Sequence, residues 1–350
     1  MNILKSKKTQ YAAVIAATAA RLATAEARAE RLANIGILPT GRANAHEQIE
    51  FANVARITEG YFSEPLTAYA AGWRDPNDIE GTLDFFAPAV MVNRRFEYAE
   101  ALNAEEFLSE TDDVRALGAD FKEVEYKSIK TNAKTANKGL TICVDLDEVA
   151  DKVGWEQMYT GKLMRRLLRS ELRRAITLIS AAATNTAKTW DTTAGKDPDQ
   201  DLTTDLLAAS TSSGIRPNRV GFGDTAWDKR KISHRAQNLA GGYASATLSP
   251  ESLAALINVD RVLVSKERYQ SAAATKTEIV NNLVLEFFAQ DAMDTEDPSN
   301  IKRFVSSPEG GGKFRVFSQQ VSAKLYTITV EHYSLIKITS TLGLRKLTIS

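Results

Sequence analysis

The sequence predicts an α+β protein, and three stretches carry that prediction. Residues from about 156 to 183 read as one long amphipathic helix. Residues from about 201 to 294 alternate short helices with short strands, and the chain from Phe314 onward is rich in strand formers. The composition fits a soluble folded chain, with 43% hydrophobic and 25% charged residues. Lys+Arg and Asp+Glu are equal at 44 each, so no global basic field marks a general nucleic-acid binder. Cys143 is the only cysteine, which excludes an intrachain disulfide, and His46, His234 and His332 are too scattered for a metal site.

Taken in order, the chain opens on Lys5, Lys7 and Lys8 followed by "YAAVIAATAA", which imitates a signal peptide poorly because Arg21 follows within a continuing helical pattern. A helix is expected from about Lys8 to Asn34, stopped by Gly36 and Pro39. Its alanine-rich seam is shallow, so it reads as an arm that docks on another surface. No stretch is long and apolar enough to span a bilayer.

After the buried run "FFAPAVMV", residues 92–145 look extended and polar. "KEVEYKSIKTNAKTANKGLTICVD" alternates charged and apolar residues in two runs joined around Lys134 to Gly139, which reads as a two-stranded flap. In the long helix, Met164, Leu168, Leu172, Ala175, Ile179 and Ala182 form the apolar face. Lys162, Arg166, Arg169, Arg173, Thr177 and Ser180 form the opposite stripe. Such a stripe is a solvated face, a set of salt-bridge partners or a surface for DNA; no aromatic residues interleave for base stacking.

Several motifs invite chemistry and fail on spacing. "SPEGGGKFRV" lacks the first glycine of a phosphate loop and the hydroxyl after Lys313, so it reads as a hairpin turn. "DPDQD" has the opening spacing of a calcium loop, but Leu202 and Ala208 stand where glycine and glutamate belong; an acidic helix start is the better reading. "DLDEVAD" clusters Asp145, Asp147, Glu148 and Asp151 just ahead of the long helix, where capping already favours acids. "RVGFGDTAW" lacks the third glycine of a dinucleotide fingerprint. Asp224 then reads as a helix cap, with Trp227 and Ile232 facing the core. No catalytic, metal or cofactor site is expected, and the chain does not read as an enzyme.

The order of these elements resembles the major capsid proteins of tailed bacteriophages, a shell fold shared with encapsulins and the herpesvirus capsid floor. The resemblance covers roughly Leu83 to the C-terminus. It rests on "LDFFAPAVMVNRRFEYAEA", "NKGLTICVD", "KLMRRLLRSELRRAITLISAAAT", "PNRVGFGDTAWDKRKISHRAQ", "LAALINVDRVLVSKERYQ" and the strand-rich tail. It implies an N-terminal arm at 1–80, and a peripheral domain with a long spine helix at 81–91 and 146–200. It further implies an extended β-hairpin loop at 92–145, an axial α/β domain at 201–319, and C-terminal strands at 320–350 returning to the peripheral domain.

The function implied is self-assembly into hexamers and pentamers that form the icosahedral head enclosing double-stranded DNA. The implied partners are other copies, a separate scaffolding protein, a portal, a decoration protein and weakly held DNA, with no membrane. The place implied is the virion, after assembly in the host cytoplasm. Lys122, Lys127, Lys130, Lys134 and Lys138 of the flap are expected to meet Asp147, Glu148 and Asp151 of a neighbour. Lys162, Arg166, Arg169 and Arg173 are expected to line the lumen or to form salt bridges. Cross-linking through Lys and Asn side chains, known in some relatives, is not expected, since Asn132 and Asn137 lie in no matching motif. An encapsulin-like compartment and a two-domain α/β enzyme are the alternatives.

Overall fold

The computed structural model describes residues 61–100, 115, 117, 120, 129–237, 240–291, 298–307 and 313–350. The expected arm helix, Lys122 and Lys127 lie outside them.

Two capped helices begin the described chain. Helix α1 (Glu64–Gly72) starts at Ser63, whose hydroxyl accepts from the Leu66 N–H, with a proline in the first turn. Helix α2 (Ile79–Phe86) starts at Asp78 and buries Ile79, Leu83, Phe85 and Phe86. Strands β1 (Ala89–Met91), β2 (Arg95–Glu100), β3 (Ile129–Lys134) and β4 (Ala136–Asp145) follow.

A short helix, α3 (Leu146–Val149), is capped by Asp145, which accepts from the Asp147 N–H. Helix α4 (Trp155–Ala182) is 28 residues long, so it spans about 42 Å. Its start is unusual: Gly154 sits at φ 74°, a left-handed turn that favours glycine, and no side chain caps the helix. The acids of 145–151 therefore cap the short helix and not the long one.

The remaining elements are β5 (Thr184–Lys188), α5 (Pro198–Ser213), β6 (Arg219–Gly223), α6 (Asp224–Ala236), α7 (Ala240–Ala246) and α8 (Pro250–Ile257). They continue with β7 (Arg261–Ser265), β8 (Arg268–Ala272), β9 (Thr275–Glu278), β10 (Leu283–Phe287), β11 (Ile301–Ser306), β12 (Arg315–Gln320), β13 (Leu325–Ile338) and β14 (Arg345–Ile349). Asp197 caps α5, as an acidic helix start should.

Two five-stranded sheets organise these elements. In the first, β13 is the hub. Residues 326–331 pair with β12 on one edge, residues 333–338 pair with β11, and β4 runs antiparallel along residues 325–334. Strand β1 joins parallel to β11. Val316, Ile328, Val330 and Ile336 of this sheet meet Leu163, Met164, Leu168, Leu172, Ala175 and Ile179 of α4 in one apolar cluster. Each leucine so buried contributes about 1.5–3 kcal/mol.

The second sheet runs β5-β14-β10-β6-β7. Helices α5, α6 and α8 cover one face, where Leu202, Leu206, Trp227, Leu253 and Ile257 pack on Val220, Phe222, Val284 and Leu347. Alternate residues of β10, Leu285 and Phe287, point the other way into the first cluster. Strand β10 is thus buried on both faces and fastens the two clusters together. Beside it, Gly221 leaves room for the Phe86 ring: a Cβ there would stand 2.3 Å from the ring edge.

Several local expectations change. The two runs read as a flap do not pair with each other: β3 pairs with β2, whereas β4 pairs with β13. Both runs have alternating polarity, which marks a strand but not its partner. The glycines of "SPEGGGKFRV" lie outside the described residues, and the strands flanking them, β11 and β12, each pair with β13. The α6 cap is Gly223; Asp224 binds Arg268 instead, and the Thr225 N–H is taken by Glu278 of β9. Ile232 is exposed while Trp227 is buried. Residues 320–350 divide between the sheets, β13 in the first and β14 in the second; β11 and all of β12 but its last residue fall within 201–319 and belong to the first.

Candidate functional site

Three surfaces and two buried polar centres hold the residues that composition and spacing single out. The first surface is the β2–β3 ribbon, paired from Arg95↔Lys134 to Glu100↔Ile129. Its inner face is small: Phe96 and Tyr98 pack at a tilt on Phe304 with ring centroids 4.5 and 5.4 Å away, beside Val90. Its outer face exposes Arg95, Glu97, Lys130, Asn132 and Lys134, so cations outnumber acids there. A two-stranded ribbon with so little core is marginal by itself and gains stability from any surface that covers it.

The second surface is the acidic turn. Asp147, Glu148 and Asp151 are all exposed, and Asp147 meets Lys324 of the β12–β13 turn in an exposed ion pair. Strand β4 separates this turn from the ribbon. Its ten residues place Ala136 and Asp145 about 30 Å apart. The ribbon lysines and the acidic turn therefore cannot reach each other within one chain.

The third surface is the cationic stripe of α4, which the structure divides. Arg169 grips Glu267 through Nε and Nη2 at 3.2 and 3.1 Å, and the Arg173 guanidinium lies 4.1 Å from the Tyr269 ring centroid. These two hold the segment leading into β8 against α4. Lys162, 4.8 Å from the Tyr159 ring, and Arg166 are exposed. The salt-bridge reading accounts for Arg169, while Lys162 and Arg166 face solvent.

Lys138 belongs to none of these surfaces. From β4 its Nζ reaches inward, 2.8 Å from Glu171 Oε1 and 3.0 Å from Ser334 Oγ. Glu171 is fully buried on α4 and also accepts from Arg174 and, at 2.8 Å, from the Ser334 hydroxyl. Burial pushes its carboxyl up, but the Lys138 ammonium, His332 and these hydrogen bonds together hold it below the ordinary carboxylate value. Its neighbour His332 is pushed down to about 4 by burial, against the pull of Glu171, and is therefore neutral at neutral pH.

The second centre joins α5 to α6. Asp199 takes a bidentate pair of bonds from the fully buried Arg230, at 2.6 and 2.9 Å. His234 Nε2 lies 3.2 Å from Oδ2, off the hydrogen-bond line. Arg230 also donates to the Ser245 carbonyl at 3.1 Å, which ties α7 to the same centre.

Both centres escaped a reading based on surface motifs, yet one had a sequence signal. Glu171 falls between Leu167 and Met164 around α4, so an acid on an apolar face was legible. Among the described residues no group of three or more metal-ligating side chains gathers, and no helix is long and apolar enough to cross a membrane. What these elements can do chemically is bind surfaces, by charge and by strand-edge contact.

No protein-family model matches the chain, and no curated protein matches it. Solved structures do. A phage-related protein from Bordetella bronchiseptica RB50 superposes with a TM-score of 0.60 at 18% identity, over 82% of this chain and 96% of that one. The capsid structure of the cyanophage P-SCSP1u superposes with a TM-score of 0.50 at 9% identity, over 76% of this chain and 87% of that one. At such identities it is the fold that is shared, and this chain has the α+β fold of those two phage proteins.

Proposed function

We propose that the chain is a major capsid protein, a structural subunit that self-assembles into hexamers and pentamers around phage double-stranded DNA. The observation that carries this reading is the ribbon and its complement. A basic, thinly cored ribbon and an acidic turn stand about 30 Å apart along one strand, so a contact between them is open only to a second copy. The fold shared with a phage-related protein and with a cyanophage capsid supports it.

In this reading the first sheet with α4 is the peripheral domain, the second sheet with α5, α6 and α8 is the axial domain, and β2–β3 is the extended loop. Lys130 and Lys134 of one copy face Asp147, Glu148 and Asp151 of the next. Each such contact is weak, and closed symmetry makes the sum strong. Lys162 and Arg166 are the residues of the stripe left to meet DNA. A separate scaffolding protein, a portal and a decoration protein complete the particle, which forms in the host cytoplasm. The role is structural rather than catalytic. An encapsulin-like compartment would use the same contacts around enzyme cargo, and copurifying enzyme in place of DNA would mark it.

Charge exchange tests the reading. Asp147→Lys with Glu148→Lys should abolish particles while leaving the folded monomer intact, since both side chains are exposed. Adding Lys130→Glu with Lys134→Glu should restore particles. Normal particles from the first double variant would overturn the proposed contact.

A further inference from the structure

Strand β10 crosses the middle of the second sheet, and one of its residues breaks the apolar pattern. In "NLVLEFFA", Glu286 shares a face with Val284, beneath α5. It is fully buried, and neither carboxylate oxygen has a hydrogen-bond partner. The polar groups around it bond to other residues or, like the buried Arg216 Nε, to none. Arg345, its cross-strand partner on β14, donates to Asp205 Oδ1 and Ser212 Oγ, both at 3.3 Å. Arg216, between α5 and β6, donates to the Ile257 carbonyl at 3.0 Å. Asp205 of α5 takes the Thr186 hydroxyl of β5 at 3.1 Å on Oδ1, and its buried Oδ2 is itself unpartnered. On the β6 side its cross-strand partner is the apolar Val220.

We propose that Glu286 is a proton-operated latch: as the neutral acid it lets α5 and β14 close over β10, and its ionisation loosens both. The Asp205 charge is already matched by Arg345, so a second carboxylate here would sit out of water with no donor of its own, the form that burial disfavours most. Burial first, and then the negative charge of Asp205, push the Glu286 carboxyl well above its ordinary value, although Arg345 and Arg216 pull the other way. The sign of the linkage follows. A carboxyl raised on folding contributes stability that is complete below the unfolded-chain value of about 4.3. That stability is lost as pH rises toward the folded value, by up to tenfold in the folded-to-unfolded ratio per pH unit.

The test compares the full-length protein with Glu286→Gln, which keeps the shape and removes the titration. Denaturation midpoints measured from about pH 5 to pH 9 should show the variant gaining steadily on the wild type as pH rises. A difference that stays constant with pH, with the variant weaker throughout, would mean an ionised Glu286 paired to Arg345 and would overturn the latch. Infrared spectroscopy of the wild type alone gives an independent reading, even if the variant does not fold. A protonated-carboxyl band should persist at neutral pH and vanish only as pH passes the folded value, where the loss of stability is complete; no such band at neutral pH contradicts the proposal.

Discussion

Glu171 and Glu286 are both fully buried glutamates, one under each sheet, and they have opposite fates. Glu171 lies where β4, β13 and α4 meet, with an ammonium, a hydroxyl and a guanidinium turned toward it, and it is held as the anion. Glu286 lies between α5 and β10 with no donor of its own and is pushed toward the neutral acid. Neither side chain is open to solvent, and the partners each one finds set the two charges apart. Glu171 belongs to an ionic centre, whereas Glu286 does not, although the second region has its own buried ion pair in Asp199 and Arg230.

The strongest way to break this contrast is to make the first site resemble the second. Lys138→Met should leave Glu171 as a buried charge short of its main partner and cost about 3–5 kcal/mol, read as a fall in the denaturation midpoint. A change below about 1 kcal/mol would mean that Arg174 and Ser334 suffice.

The next effect separates the regions by pH. Because the folded value of His332, about 4, lies below the unfolded value of about 6.5, its contribution is complete above that range and is lost as pH falls through it, by ~3 kcal/mol in all. His332→Gln should remove a gain in stability with rising pH between those values. Glu286→Gln should remove an opposing loss that begins at about pH 4.3 and continues above about 6.5, so the two variants change the slope with opposite signs.

The seam between the regions is probed by Gly221→Ala. The added methyl would meet the Phe86 ring, which is buried and has nowhere to move, and a loss of about 1–3 kcal/mol is expected by thermal melting. The smallest effect belongs to Arg169→Ala. It frees Glu267 at a partly exposed site and should cost about 0.5–1 kcal/mol, with faster amide exchange confined to the residues near β8.

Much of the fold was legible because its signals are local. The long helix, read at 156–183 and found at Trp155–Ala182, announces itself by periodicity, and the Asp197 cap by its place before Pro198. What stayed hidden is long-range. Nothing in "KGLTICVD" says that its partner is the distant strand β13 and not the preceding run. Ile232 looked like core by spacing, yet α6 has only one face against the sheet. Lys138 resembled the other flap lysines in sequence, and only the packing of β4 on α4 turns it inward to Glu171. Glu286 carried its own warning, a lone charge in an apolar strand, though its lack of partners needed all of α5, β5 and β14 in place.

The central claim is that this chain builds shells, and the particle size of the purified recombinant protein tests it most directly. Sedimentation with negative-stain imaging should reveal closed shells, or rings of pentamer and hexamer size. A monomer or dimer, unchanged by crowding and by a co-expressed scaffold candidate, would contradict it.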